Sequence, residues 1–362
     1  LEKLHHKVPP DPPGVARALI EAELGRPIDE LYASFGEEPF ASGSVAQVHR
    51  ATLHDGTVVA VKVLHHGTVD EVRGDLELMR ALAHYLETHD PDIARYRPTA
   101  VVGEFEQMLR AAIDLREELR NLELFRANFA DDPDVVIPAP HRDLSSAQVL
   151  TMDFIEGPAV TDRATVEAAG WDVDDLVSRI ADVYLAMVFR DGLYHADPHP
   201  RNLVLCSPTK FAMLDFGDVG RVSSPRRRQL RSIAIAIGTR DAAGVADVVI
   251  EMTSPPPGTD LKRLRADLEA WLERYLWVDV ADLDVLAILQ SGLAVMHDHR
   301  LRLPADLSLM FRVLARLQGL ATGLESDVQV ATMLQPYVGS MMREQADLRD
   351  LTRRMGRAAH RW

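Results

Sequence analysis

Four polar residues fall close together in HADPHPRNLVLCSPTKFAMLDFG, residues 195 to 217: His195, Asp197, Asn202 and Asp215. Asn202 comes five residues after Asp197, and Asp215 opens an Asp-Phe-Gly sequence thirteen further on. That order suits phosphoryl transfer from a metal-bound nucleotide. Mg²⁺ is a hard cation that takes oxygen ligands, so the Asn202 carboxamide and the Asp215 carboxylate can hold it while Asp197 orients or deprotonates a nucleophile. Short apolar runs at 203–206 and 211–214 flank Ser207-Pro208-Thr209-Lys210 and predict a hairpin with Asn202 and Asp215 at neighbouring strand ends. The bland alternative is a polar loop in which Asp197 and Asn202 cap turns; the two spacings together favour chemistry.

A second stretch supplies a cation. ASGSVAQVHRATL, the tight turn His54-Asp55-Gly56-Thr57, and VVAVKVL read as three strands or a hairpin plus one. Lys62 lies inside the last of these, where an unpaired ammonium is costly to bury, so it needs an anionic partner: a nucleotide phosphate or a helix carboxylate. Upstream of Val48, the small residues Ala41, Ser42, Gly43, Ser44 and Ala46, with Val45 among them, occupy the place of a phosphate-covering loop. Ala41, Gly43 and Ala46 stand at the G-x-G-x-x-G positions. Alanine resists the positive φ that glycine accepts, which predicts a stiff loop.

Other elements must position these groups. Periodicity predicts helices over 14–25, ending at Gly25, over 28–35, over 69–88 and over 99–129, and strands at 135–137 and 147–154. In the last of these helices Asp114, Glu118 and Asn121 recur at four and three residues, on one face from which one of them can reach Lys62; a solvated face is the alternative. DLVSRIADVYLAMVFR, within 174–190, is apolar enough for a buried helix leading into the His195 stretch. After Gly217 a helix start at Ser223-Ser224-Pro225 leaves no long activation segment and no A-P-E sequence, so no peptide-docking platform is expected. Arg221, Arg226, Arg227, Arg228 and Arg231 cluster there, by default as a solvated face. Helices continue from 226 to 359, and the tail MMREQADLRDLTRRMGRAAHRW, with six arginines, can form an amphipathic helix on an anionic membrane, a docking helix or a frayed end.

Composition narrows the class. The 362 residues suffice for two lobes, and 47% hydrophobic with 26% charged is ordinary for a globular chain. A formal net charge of −15 argues against a nucleic-acid partner. The single cysteine, Cys206, excludes an internal disulfide and a multi-thiolate zinc site and suits a cytoplasmic, reducing compartment, with peripheral membrane contact allowed. No apolar run reaches 18 residues, and the start LEKLHHKVPP is neither a signal peptide nor an initiator methionine, so a longer natural product is expected.

On these residues the chain resembles the UbiB (AarF-type) family of atypical kinases. PFASGSVAQVHRATLHDGTVVAVKVLHHG is similar to that family's Ala-rich loop and lysine strand, DLREELRNLELF to its acidic helix motif, and YHADPHPRNLVL with MLDFGDVGRV to its catalytic and metal-binding segments. The resemblance implies an α+β, two-lobed protein-kinase-like fold. A small β-sheet N-lobe with extra helices would span 1–156, and a mostly helical C-lobe carrying the catalytic and metal-binding loops 157–362. It implies ATP and Mg as cofactors, Lys62 on the phosphates with Glu118 as its helix partner, Asp197 as catalytic aspartate, and Asn202 and Asp215 as metal ligands. In such a lobe Met152-Asp153-Phe154-Ile155 is the hinge, with the backbone of Asp153 and Ile155 offered to adenine. The expected partners are ATP and an anionic membrane lipid, or an intermediate or enzyme of quinone biosynthesis. The chain departs from the family in three places. The K-x-G-Q motif is absent, expected upstream of Leu1; the E-x-D pair reads Ala112-Ile113-Asp114; and Gly43 replaces the usual alanine.

Three functions follow, in this order: a Mg-ATP atypical kinase or ATPase acting near a lipid or quinone pathway; a small-molecule phosphotransferase like the aminoglycoside or choline kinases, since H-x-D-x-H-x-x-N is satisfied by His195 to Asn202; and a nucleotide-gated scaffold without turnover.

Overall fold

Helix α1 (Val15–Leu24) ends where Gly25 takes φ 67°, a left-handed closure that glycine makes without steric cost. The helix expected over 28–35 stops early. Helix α2 (Ile28–Leu31) gives way at the extended Tyr32 to strand β1 (Ser34–Phe35), because Ser34 and Phe35 pair with Thr52 and Ala51. Tertiary strand pairing overrides the local helical pattern there. The structure is a computed structural model and describes residues 9–275, 278, 285–329, 333 and 337.

Strands β2 (Ala41–Ser42), β3 (Ala46–Thr52), β4 (Val58–Leu64) and, later, β6 (Val149–Asp153) build the main sheet with β1. All pairs are antiparallel in the order β1-β3-β4-β6, with β2 on β3. The two-residue period of β4 decides where Lys62 points. Val59, Val61 and Val63 are fully buried against Ile20, Ile28, Leu31 and Tyr32, each valine contributing about 1.5–3 kcal/mol. That core fixes the register, so Lys62 must emerge on the opposite face.

Helices α3 (Thr68–His89), α4 (Pro91–Ala94), α5 (Pro98–Ala112) and α6 (Leu115–Asn128) follow. The single helix expected over 99–129 is two, broken at Ile113-Asp114. Asp114 takes extended φ/ψ, and its carboxylate accepts the Arg116 amide as an N-cap while pairing with the Arg116 guanidinium. It therefore does not share a helical face with Glu118 and Asn121. Strand β5 (Val135–Val136) lies parallel to β9 (Lys210–Met213), which pairs antiparallel with β8 (Leu203–Ser207) across the expected 207–210 turn.

Contacts divide the described chain into two units. One runs to Pro158 and includes Asn202–Asp218; the other comprises Ala159–Arg201 and the chain from Val219. The first unit thus includes the β8–β9 hairpin. Gly157 ties the end of its main chain to that hairpin. Its φ is 154°, and a Cβ would sit 2.2 Å from the Leu205 carbonyl oxygen and 2.9 Å from Val204 Cγ1. Gly157→Ala is therefore expected to cost about 1–3 kcal/mol by forcing strain or a shift of β8, measured as a lower urea midpoint with an unchanged slope.

In the second unit α7 (Arg163–Ala168) precedes α8 (Val173–Ala186), whose Asp172 N-cap accepts amides from Asp174 and Asp175. As its pattern predicts, α8 is buried along Leu176, Val177, Ile180, Tyr184 and Leu185. A π-helical turn, Met187–Asp191, leads through Gly192 into β7 (Leu193–His195), which pairs with β10 (Val219–Arg221). Then come α9 (Ser224–Gly238), capped by the Ser223 hydroxyl, α10 (Ala242–Thr253), α11 (Leu261–Glu273), α12 (Val285–Asp298) and α13 (Ala305–Gly323). Ala246, Leu264, Leu268, Met296 and Leu301 pack as one cluster joining α10 to α12. Among the described residues no helix is long and apolar enough to cross a membrane. The arginine-rich tail lies outside the described residues.

Candidate functional site

Three of the residues singled out from the sequence meet in the first unit. Lys62 Nζ donates to both carboxylate oxygens of Glu118, at 2.9 and 2.7 Å, and to Asp215 Oδ1 at 3.0 Å. The lysine and Glu118 side chains are 17% and 4% exposed, whereas Asp215 is 52% exposed. Burial works against the lysine's charge, but the two carboxylates outweigh it and hold the ammonium above its ordinary range. Burial also pushes the Glu118 carboxyl up, with Lys62 pulling it the other way. Lys62 is thus a fixed cation, gripped from inside by α6 and meeting at its outer end a carboxylate open to solvent.

Helix α6 holds more than the lysine. Asn121 donates through Nδ2 to the Phe216 carbonyl at 2.9 Å, and the Phe125 and Phe216 rings lie 4.8 Å apart, both fully buried. Glu118, Asn121 and Phe125, spaced three and four, form the stripe that anchors the segment next to Asp215. The sequence offered Asn121 only as a possible lysine partner; its grip on Phe216 is legible only in three dimensions. Asp215 itself takes φ 62°, a left-handed conformation that aspartate tolerates better than most residues. The Leu214 amide donates to the Asn202 carbonyl at 2.8 Å, and Leu203 stands opposite Met213, which brings the backbones at Asn202 and Leu214 together at one end of the hairpin.

The small-residue loop is a tight turn between β2 and β3. Gly43 donates its amide to the Ala46 carbonyl at 2.9 Å, Ala41 pairs with Val48, and Val48 pairs in turn with Lys62. No residue from Ala41 to Val48 has a positive φ, so the loop is built without the freedom that glycine gives. His65, which the sequence did not suggest, fastens it: Nε2 donates to the Gly43 carbonyl at 3.0 Å, and the His65 amide donates to the Val45 carbonyl at 2.9 Å. Asp11 adds a second tie, accepting from the His66 amide while its own amide donates to the Gln47 side chain. At the end of β6 the Asp153 amide donates to the Ala139 carbonyl, and its carboxylate faces His141 Nε2 at 3.0 Å. The Asp153 amide and carboxylate are thus both engaged within the first unit.

Asp197 lies in the second unit. Its amide donates to Nδ1 of the fully buried His195, and its carbonyl accepts from the His199 amide at 2.7 Å. His195 is thus an orienting residue inside the core, stacked edge-on to Tyr184, and His199 Nδ1 accepts the Arg201 amide at 3.1 Å. The Asp197 carboxylate Oδ1 accepts from Arg316 Nη1 on α13. Nothing in the sequence signals that contact, since 119 residues separate the partners. In the basic cluster Arg227 donates to the Arg190 carbonyl and Arg226 to Gln229, while Arg221 and Arg228 are exposed.

The donors suit a magnesium nucleotide. Among the described residues no three His, Cys, Asp or Glu side chains are grouped to hold a metal by themselves, and Mg²⁺ commonly takes one or two protein oxygens, completing its octahedron with phosphate and water. Asn202 and Asp215 are such oxygen donors, and Lys62 is a permanent cation beside Asp215.

Two comparisons bear on the fold and its family. A solved structure titled as the complex of Rv3197 and erythromycin from Mycobacterium tuberculosis is similar over 90% of this chain and 83% of that one, at 23% identity and a TM-score of 0.65. That likeness shows a shared fold, here of mixed α+β architecture. The sequence model of the ABC1 atypical kinase-like domain matches residues 3–249. The chain belongs to the ABC1 atypical kinase-like family.

Proposed function

We propose that this protein is a Mg-ATP-dependent phosphotransferase or ATPase of the UbiB type, acting at a membrane surface on a lipid or on a step of isoprenoid-quinone biosynthesis. The observation that carries this reading is Lys62, held between buried Glu118 and half-exposed Asp215. In phosphoryl transfer catalysis is mostly positioning and charge neutralisation. Lys62 supplies the fixed positive charge for the nucleotide phosphates. Asn202 and Asp215 would hold Mg²⁺, which would neutralise phosphate charge. The Ala41–Val48 turn covers the phosphates, and Asp153 and Ile155 present backbone groups to the adenine. Asp197 takes the proton of the attacking hydroxyl or water as its oxygen bonds to the γ-phosphorus and the bond to ADP breaks.

ATP turnover with Mg²⁺, measured with and without anionic liposomes, tests the assignment. Asp197→Asn is expected to retain Mg-ATP binding while lowering turnover by about 10²–10⁴-fold. Wild-type turnover in that variant would remove Asp197 from the reaction.

Transfer to a soluble small molecule has one observation in its favour: only β10 and a short turn separate Gly217 from α9, leaving no segment for peptide docking. Radiolabel transfer from ATP to an aminoglycoside, choline or erythromycin, the last chosen for its complex with the structural neighbour, would favour it over a lipid acceptor.

A further inference from the structure

A cavity of about 430 Å³ in the second unit lies between the turn Pro198, His199 and Pro200 and the face of α13 bearing Ala315, Gly319 and Gly323. Its volume falls in the range of small-ligand sites. A glycine inside a helix costs about 1 kcal/mol relative to alanine, so Gly319 calls for a reason. Close packing is not that reason, because a Cβ at Gly319 or Gly323 would meet nothing within 4 Å. What these glycines do is leave the cavity wide.

The wall is mostly apolar, with Thr161 and His199 its other polar residues and one strong charge, Arg316, whose guanidinium rests on the Asp197 carboxylate. The two side chains are 45% and 32% exposed. A pair so accessible to water is worth about 0–1 kcal/mol, little enough for a competing anion to displace. An arginine fork suits a carboxylate or phosphate group, which it binds through two parallel hydrogen bonds.

We propose that this cavity binds a compact molecule with an apolar body and one anionic group, and that Arg316 leaves Asp197 to take that group. Ligand entry then takes the Arg316 charge off the aspartate that, on the phosphotransfer reading above, receives the acceptor's proton.

Binding of octanoate, octyl phosphate and octanol, titrated calorimetrically without nucleotide, tests the cavity independently of turnover. Both anions are expected to bind the wild type at least about tenfold more tightly than octanol. Arg316→Gln should remove that preference and leave octanol binding unchanged. Gly319→Leu, which fills the cavity and improves helix propensity, should weaken all three about tenfold or more, with circular dichroism confirming the fold. No anion binding to the wild type, or equal anion binding by wild type and both variants, would overturn the proposal. A separate Mg-ATP titration reports on the nucleotide assignment, so failure of one is distinguishable from failure of the other.

Discussion

Asp215→Asn is expected to weaken Mg-dependent ATP binding by about a hundredfold or more and to abolish turnover. Changes to groups that merely support a metal ligand commonly cost about 10–100-fold in affinity, and a lost ligand charge should cost at least that much. The substitution isolates charge from shape. Asparagine is as tolerant as aspartate of the left-handed φ of 62° found here, so the backbone can stay in place. The Asp215 contact to Lys62 lies at a side chain 52% exposed, where solvent screening keeps its contribution to stability small. Calorimetric titration with Mg-ATP, and with ATP in excess chelator, separates the metal-dependent part. Unchanged Mg-ATP affinity in the variant would take Asp215 out of the site.

Glu118→Ala acts on the fold instead. Glu118 lies almost wholly inside the protein and binds Lys62 through both oxygens. Removing it leaves the lysine with Asp215 alone, in a setting where breaking a buried pair typically costs about 3–5 kcal/mol. Replacing both partners with apolar residues of similar volume, Lys62→Met with Glu118→Leu, should recover most of that loss, because no charge is then left buried. Urea denaturation of the two proteins checks both statements; a Glu118→Ala variant as stable as wild type would show that the pair does not hold β4 to α6. The pH dependence has a definite sign. Lys62 is held above its ordinary value by its two carboxylates against the effect of burial. Its share of the stability is therefore fully present below the unfolded value of about 10.4 and is lost as pH rises through the higher folded one. The stability difference between wild type and Lys62→Met should shrink in that alkaline range.

The sequence by itself determined most of the local elements that carry the candidate residues. The apolar run VVAVKVL after a tight turn placed Lys62 inside a strand, where a buried ammonium calls for an anionic partner. Turn residues at 207–210 marked the hairpin joining Asn202 to Asp215, and Ser223 with Pro225 marked a helix start, because these residues have local backbone preferences. Local preference also misled. The 28–35 pattern was overruled by the pairing of β1 with β3, and Asp114, spaced like a helical-face residue, became the cap that splits the helix. The tertiary structure decided which groups meet. Glu118 reaches Lys62 across 56 residues, Asn121 reaches Phe216 across 95, and Arg316 reaches Asp197 across 119. No periodicity encodes such distances. They follow from how the core assembles: α6 buries Glu118 and Asn121 on the same face as Phe125, and only that packing brings them to partners far away in the chain.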